Sequence, residues 1–322
     1  MKISYIDLFC GIGAFRVAMN NVAQKQKIHA ECVFSSDIDP TVQKIYYDNF
    51  GDRPFGDITK INENFIPDHD ILFAGFPCQP FSIIGKGNGF TDTRGTLFFD
   101  IARILSAKKP RGFVLENVKQ LVSHNNGKTF SRILSILNEL GYTISYKILN
   151  ALDFGLPQKR ERVFIIGTLN PLLFDWKLTK RPMLPLSSIL EKNISNKFFA
   201  SKMIQDKRKA KHKPLYTPSI WHENKSGNIS SYPYSCALRA GASYNYLLVD
   251  GIRRLTPREM FRLQGFPDTY KITVTDSQAR KQAGNALPVN AAEAILEKFI
   301  PIIYSDMYSG VDAVSDVKVN YG

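Results

Sequence analysis

The first half of this 322-residue chain alternates short apolar runs with amphipathic stretches, and that alternation restricts what it can fold into. Apolar runs of strand length, each followed by a segment of helical spacing, build a parallel sheet covered by helices. Strands are predicted near Ser4 to Leu8, Glu31 to Ser35, Ile71 to Ala74, Gly112 to Glu116, Thr143 to Asn150 and Arg162 to Thr168. Leu97, Ile101, Ile104 and Leu105 recur at helical spacing, as do Phe130, Ile133, Leu134 and Leu137, so helices fall between the strands. In such sheets ligands gather at the carboxyl ends of the strands, which makes polar residues there the candidates for chemistry.

The run Gly75-Phe76-Pro77-Cys78-Gln79-Pro80-Phe81-Ser82 follows one predicted strand and sets a thiol between two prolines. Proline fixes φ and biases the preceding residue toward extended backbone, so the chain carrying Cys78 is stiff where it leaves the sheet. A free cysteine is as often a buried small hydrophobe as a nucleophile, and partners must decide between the two. Candidates are Glu116, at the end of the next strand, and Arg160 and Arg162, at the start of Val163 to Ile166. A carboxylate and two guanidiniums around one thiol would supply a proton and favour thiolate, which is scarce at neutral pH for an unperturbed cysteine. Singly, each of these charges could equally be a solvated strand end.

Gly11-Ile12-Gly13 after the first strand is compatible with NAD, FAD or S-adenosylmethionine, or with a tight turn holding nothing. Asp37, beyond the second strand, suits a ribose diol, and Asp57 suits an adenine amino group. The four cysteines, Cys10, Cys32, Cys78 and Cys236, have no CxxC spacing, which argues against disulfide and zinc sites. A net charge of +13 suggests a polyanionic partner, although ribosomal proteins share that trait. No apolar run approaches membrane-spanning length, so the expected location is cytoplasmic.

From about Asn170 to Val249 the alternation breaks. This segment is rich in lysine, aromatics and turn residues without a clear period, and it reads as an inserted module between a first part (1–169) and a closing part (250–305). Lys202, Lys207, Arg208, Lys209, Lys211 and Lys213 form a basic run suited to phosphate contact, or simply to a solvated face. Helices are predicted over Pro257 to Gln264, Asp276 to Gly284 and Val289 to Ile300, with Gly284 as a C-cap. Residues 306–322 are read as a polar tail.

The order of these elements resembles the DNA (cytosine-5) methyltransferases of bacterial restriction-modification systems, in particular the small HhaI-type enzymes. The resemblance rests on Asp7-Leu8-Phe9-Cys10-Gly11-Ile12-Gly13-Ala14-Phe15, Ser36-Asp37-Ile38-Asp39, Gly56-Asp57-Ile58-Thr59, the cysteine loop, Gly89 to Asp100, Glu116-Asn117-Val118, Gln158 to Arg162, Arg254 to Glu259, Leu263 to Asp268 and Gln282 to Asn290. Cys10 and Ala14 stand where alanine and glycine are commoner. Only the stretch from about Asn170 to Val249 falls largely outside it.

The resemblance implies a Rossmann-like S-adenosylmethionine-dependent methyltransferase fold with an inserted target-recognition region, acting as a monomer on double-stranded DNA. A cognate restriction endonuclease would be its functional, not physical, partner. No metal is implied. Cys78 would attack C6 of a flipped cytosine, Glu116 would protonate the N3 side, and Arg160 and Arg162 would support the base carbonyl and the thiolate. Phe9, Gly11, Gly13, Asp37, Ile38, Asp57, Ile58, Pro77, Leu97, Asn285 and Ala286 would hold the cofactor. DNA contacts are expected from Ser82, Lys86, Lys207, Arg208, Lys209, Arg239 and Tyr244, with the glycines at 85, 87 and 89 in a loop able to close over the base. An RNA cytosine-5 methyltransferase and a catalytically silent DNA-binding regulator are the alternatives. The basic insertion favours DNA over RNA, and the intact cysteine and glutamate disfavour the silent regulator.

Overall fold

The computed structural model describes residues 2–77, 97–171 and 173–304. Cys78, Ser82, Lys86, the glycines at 85, 87 and 89 and the tail therefore lie outside the described residues. The six predicted strands are β1 (Lys2–Leu8), β2 (His29–Ser36), β3 (Ile71–Gly75), β4 (Gly112–Val118), β5 (Thr143–Asn150) and, beyond the two-residue β6 (Gln158–Lys159), β7 (Glu161–Thr168). They form one sheet in the order β2-β1-β3-β4-β7-β5. β1 pairs in parallel with both β2 and β3, and β3 with β4, whereas β7 runs antiparallel to β4 and β5.

This topology positions the site. The chain leaves β1 toward β2 on one side and returns to β3 on the other, so a crevice opens at the carboxyl ends of β1 and β3. Because β7 is reversed, its first residues lie at that same end of the sheet. Val118 is opposite Arg162 in the β4 and β7 register, which brings the two arginine-bearing positions toward the ends of β3 and β4.

Helices α1 (Ala14–Gln26), α2 (Pro40–Phe50), α3 (Leu97–Lys108) and α4 (Lys128–Glu139) connect the strands. Two buried clusters result: one contains Leu72, Ile101, Leu105, Ile133 and Leu137, and the other contains Ile3, Tyr5, Phe15 and Phe73. The predicted stripes of α3 and α4 thus fill core, except that Leu97 at the start of α3 is only half-buried.

The 170–249 stretch carries α5 (Lys202–Lys211) and the strands β8 (Ile220–Glu223), β9 (Ile229–Tyr232), β10 (Ser235–Cys236) and β11 (Leu247–Val249). β11, β8 and β9 form a small sheet, while β10 pairs with β6. Ile220, Leu238, Leu247 and Val249 join the same buried cluster as Ile3 and Phe73, so this stretch shares its core with the main sheet.

The chain closes with α6 (Pro257–Leu263), α7 (Asp276–Asn285) and α8 (Val289–Ile303). Thr256 and Glu259 form a capping box that starts α6. α8 packs on α1, where Glu293 accepts from Asn21 at 2.6 Å and Glu297 pairs with Lys25 at 2.7 Å. Gly284 corrects its expected role. It lies inside α7, whose C-cap is Ala286, and a Cβ there would meet the Ala240 nitrogen at 2.4 Å. Close backbone approach, not helix termination, requires glycine at this position.

Candidate active site

A cleft of about 580 Å³ lies at the carboxyl ends of β1 to β4, within the size range of small-molecule sites. Among the sequence candidates, Phe9, Gly11, Asp37, Ile38, Asp57, Ile58, Pro77, Leu97, Glu116, Arg162, Asn285 and Ala286 all line it. Residues far apart in sequence are thus brought to one cavity.

The wall after β1 is built by backbone geometry. Phe9 takes a left-handed φ of 53° and Gly11 the same value, which turns the chain sharply across the end of β1. A phenylalanine in that region is strained by about 1–3 kcal/mol, and the surrounding contacts must hold it there. Asp37 fastens the turn, its carboxylate accepting from Gly11 N–H at 3.0 Å and Asp39 N–H at 2.9 Å. Burial pushes the Asp37 pKa up, and those two N–H donors oppose the shift. Asp57 caps the short turn that follows it, accepting from the Thr59 hydroxyl at 2.7 Å, and that bond is the first cause holding its pKa down. Ile38, 70% exposed, offers an apolar face at the cleft.

Gly13 does not line the cleft. Its N–H donates to the Cys10 carbonyl, and a Cβ there would meet the Phe50 ring at 2.4 Å, so it serves the packing of α1 on α2. The structure gives Gly13 this packing role beside the turn.

At the other wall, Glu116 stands opposite Gly75 in the β3 and β4 register, where the absence of a side chain leaves room beside its carboxylate. Arg162 Nε meets Glu116 Oε1 at 2.8 Å. Burial raises the Glu116 pKa, while Arg162 first and Arg160 second pull it back. Asn117 Nδ2 donates to the Phe76 carbonyl at 2.8 Å and so fixes the chain two residues before Cys78.

Arg160 departs from its expected role. It is 0% exposed, and its guanidinium donates to the carbonyls of Leu238 at 2.9 Å, Gly284 at 2.9 Å and Ala286 at 2.7 Å. A guanidinium committed to three carbonyls ties α7 to the end of the 170–249 stretch. It does not line the cleft.

Arg208 is likewise turned inward. It is buried, pairs with Glu223 at 2.8 Å and donates to the Asn245 carbonyl, whereas Lys207 and Lys209 on the same helix are exposed. Within the basic run, the exposed Lys207 and Lys209 thus flank a core arginine, and Arg208 is withdrawn from the residues available to DNA.

A family model described as C-5 cytosine-specific DNA methylase matches residues 3–300. The chain belongs to this family. It is 54% identical over 298 residues to Type II methyltransferase M.HaeII of Haemophilus aegyptius, with 92% of each protein covered. It is 40% identical over 316 residues to M.HhaI of Haemophilus parahaemolyticus, covering 91% of this chain and 93% of that protein. Among solved structures, the S. pombe Dnmt2 methyltransferase superposes with a TM-score of 0.70 at 20% identity, covering 95% of this chain and 99% of the other, which supports the fold alone.

The protein is thus a DNA (cytosine-5-)-methyltransferase related to enzymes of restriction-modification systems. Methyltransferases of this family use S-adenosylmethionine, a cationic molecule, and the cleft fits such a group. Asp7 lies on the cleft wall with both carboxylate oxygens buried and without a hydrogen-bond partner among the described residues. Burial drives its pKa well above the ordinary carboxylate value, with Arg16 opposing and Asp37 reinforcing. A buried carboxylate without a partner is costly, and a bound cation would satisfy it. Nothing in the sequence singles out Asp7, because an aspartate ending a strand gives no sign of being orphaned. Asn117 likewise carries no mark in the sequence beyond following Glu116 directly. No helix among the described residues is long and apolar enough to cross a membrane.

Proposed function

We propose that this methylase modifies C5 of a cytosine flipped out of duplex DNA through a transient bond between Cys78 and C6, and that it protects host DNA beside a cognate endonuclease. The observation carrying this reading is the Glu116 and Arg162 pair, buried at the cleft wall that also contains Pro77, the residue before Cys78. C5 of cytosine is a poor nucleophile, and addition of a thiolate at C6 gives it enamine character. Glu116 holds and moves a proton at the N3 side, so negative charge does not build up on the ring as the thiolate adds. Arg162 orients Glu116 and adds positive charge where the base carbonyl would lie. When bound, S-adenosylmethionine supplies the electrophilic methyl group. After C5 is methylated, loss of its proton to a base re-forms the C5–C6 double bond as the Cys78 thiolate departs.

Asp7, Phe9, Gly11, Asp37, Ile38, Asp57, Ile58, Pro77, Leu97, Asn285 and Ala286 are the residues we assign to holding the cofactor. The organisation we propose is a catalytic unit of residues 1–169 and 250–305 interrupted by a target-recognition module of 170–249, working as a monomer. Ser82, Lys86, Lys207, Lys209, Arg239 and Tyr244 remain the DNA-facing assignments.

The test is product identity. Duplex DNA incubated with the protein and S-adenosylmethionine, then digested to nucleosides, should contain 5-methyldeoxycytidine by mass spectrometry, and Cys78→Ala should yield none. N4-methyldeoxycytidine or N6-methyldeoxyadenosine as the product would overturn the reading, as would turnover by the alanine variant. Host protection is tested separately by whether DNA from expressing cells resists a restriction enzyme cutting at the methylated site.

A further inference from the structure

Three arginines and two tyrosines alternate in a ladder where α7 meets the end of the 170–249 stretch. Arg254 lies over the Tyr244 ring at 5.4 Å, Arg280 over the other contacts of the ladder at 4.7 Å from Tyr244 and 5.6 Å from Tyr246, and Arg239 over Tyr246 at 4.9 Å. Stacking orients each guanidinium but leaves its charge in place.

That charge is not neutralised. Among the described residues no carboxylate forms an ion pair with Arg239, Arg254 or Arg280, and the nearby Asp276 is taken by Lys197 at 2.6 Å. The hydrogen bonds these arginines make go to carbonyls: Arg254 to Lys197, and Arg280 to Ala242 and Ser243. Each bond uses one nitrogen of a five-donor fork, so donors remain on every guanidinium. Beside the ladder lies a pocket of about 210 Å³ with Phe198, Leu255 and Met260 in its wall and Arg254, Arg280 and Tyr244 at the same site. Tyr244 is 55% exposed.

The ladder also adjoins the active site. Lys281, next to Arg280, lines the cofactor cleft, and Arg160 joins Leu238, beside Arg239, to Gly284 and Ala286. Three guanidiniums held on tyrosine rings without a carboxylate partner keep donors and charge suited to phosphate oxygens.

We propose that Arg239, Arg254 and Arg280 form a phosphate-binding face that seats the DNA backbone at the edge of the cleft. Arg254 and Arg280 are the new assignments, and the proposal rests on the DNA methyltransferase reading above. Both come from the closing part of the chain, so DNA is gripped by catalytic-unit residues as well as by the inserted stretch.

The test is equilibrium binding of the full-length protein to a mixed-sequence DNA duplex across a series of salt concentrations. Arg254→Gln and Arg280→Gln should each weaken binding and reduce the slope of log K against log salt by about one. Arg280→Lys should keep the slope, since its charge remains. Unchanged slopes in both glutamine variants would overturn the proposal, as would an equal slope loss in Arg280→Lys, which would show that the guanidinium only holds the 242–243 loop. Cofactor binding measured in parallel should be unaltered. If the unaltered protein bound duplex without salt dependence, the DNA reading itself would fail.

Discussion

Glu116 carries opposing influences that make its titration a direct probe of the site. Burial raises its pKa above the ordinary value of 4.5, and Arg162 is the largest force resisting that rise. A raised folded-state pKa keeps the acid form populated further above pH 4.5, and its contribution is lost as pH rises through the folded value. We therefore predict that kcat/KM falls on an alkaline limb set by Glu116, and that Glu116→Gln lowers the rate roughly a hundredfold or more and removes that limb. Arg162→Met should move the limb upward, because its largest opposing charge is gone. A pH–rate profile of each variant checks both statements. Asp7 provides the matching prediction at the cofactor wall: Asp7→Asn should raise KM for S-adenosylmethionine about tenfold with little change in DNA affinity, measured by steady-state kinetics and duplex binding. Equal loss of both affinities would mean that Asp7 supports the fold instead.

Elements were legible where burial imposed a period and obscure where it did not. The six strands and the stripes of α3, α4 and α8 follow from apolar spacing, since each buries one face or both. The reversed direction of β7 has no such signature, because a strand buried on both faces reads alike in either direction. Arg160 and Arg162 look equivalent at a spacing of two, yet the break between β6 and β7 falls at Arg160 and turns it into the interior. α5 escaped recognition because its fully buried anchor is Arg208, a residue that sequence patterns count as surface. Arg208→Ala should lower unfolding free energy by about 2 kcal/mol, whereas Lys207→Ala should stay within about 0.5 kcal/mol. Thermal denaturation of the two variants compares them directly. In α7, Gly284→Ala would press on the backbone of Arg239 and Ala240, which cannot give way as a flexible side chain could. We expect a cost of about 1–3 kcal/mol in stability and a raised KM for DNA, read by the same melts and by kinetics.

At the scale of the whole molecule, distant parts of the chain meet at one cleft. Its walls come from the ends of β1 to β4, from the start of β7 and from α7, while the 170–249 stretch is fastened to it by the β6 and β10 pairing and by Arg160. Tyr270 adds a further tie, donating to the Ile12 carbonyl at 2.8 Å and joining the closing part to the cofactor loop. The chemistry we propose needs a thiolate delivered into this cleft directly after Pro77. Duplex DNA carrying 5-fluorocytosine in the target position tests that most directly, because fluorine cannot leave C5 as a proton does and the bond to the enzyme cannot be released. In the presence of S-adenosylmethionine the account predicts a denaturation-resistant adduct, with the modified nucleotide mapped by peptide mass spectrometry to Cys78. An adduct mapped to another residue, or none at a target the enzyme demonstrably methylates, would contradict it.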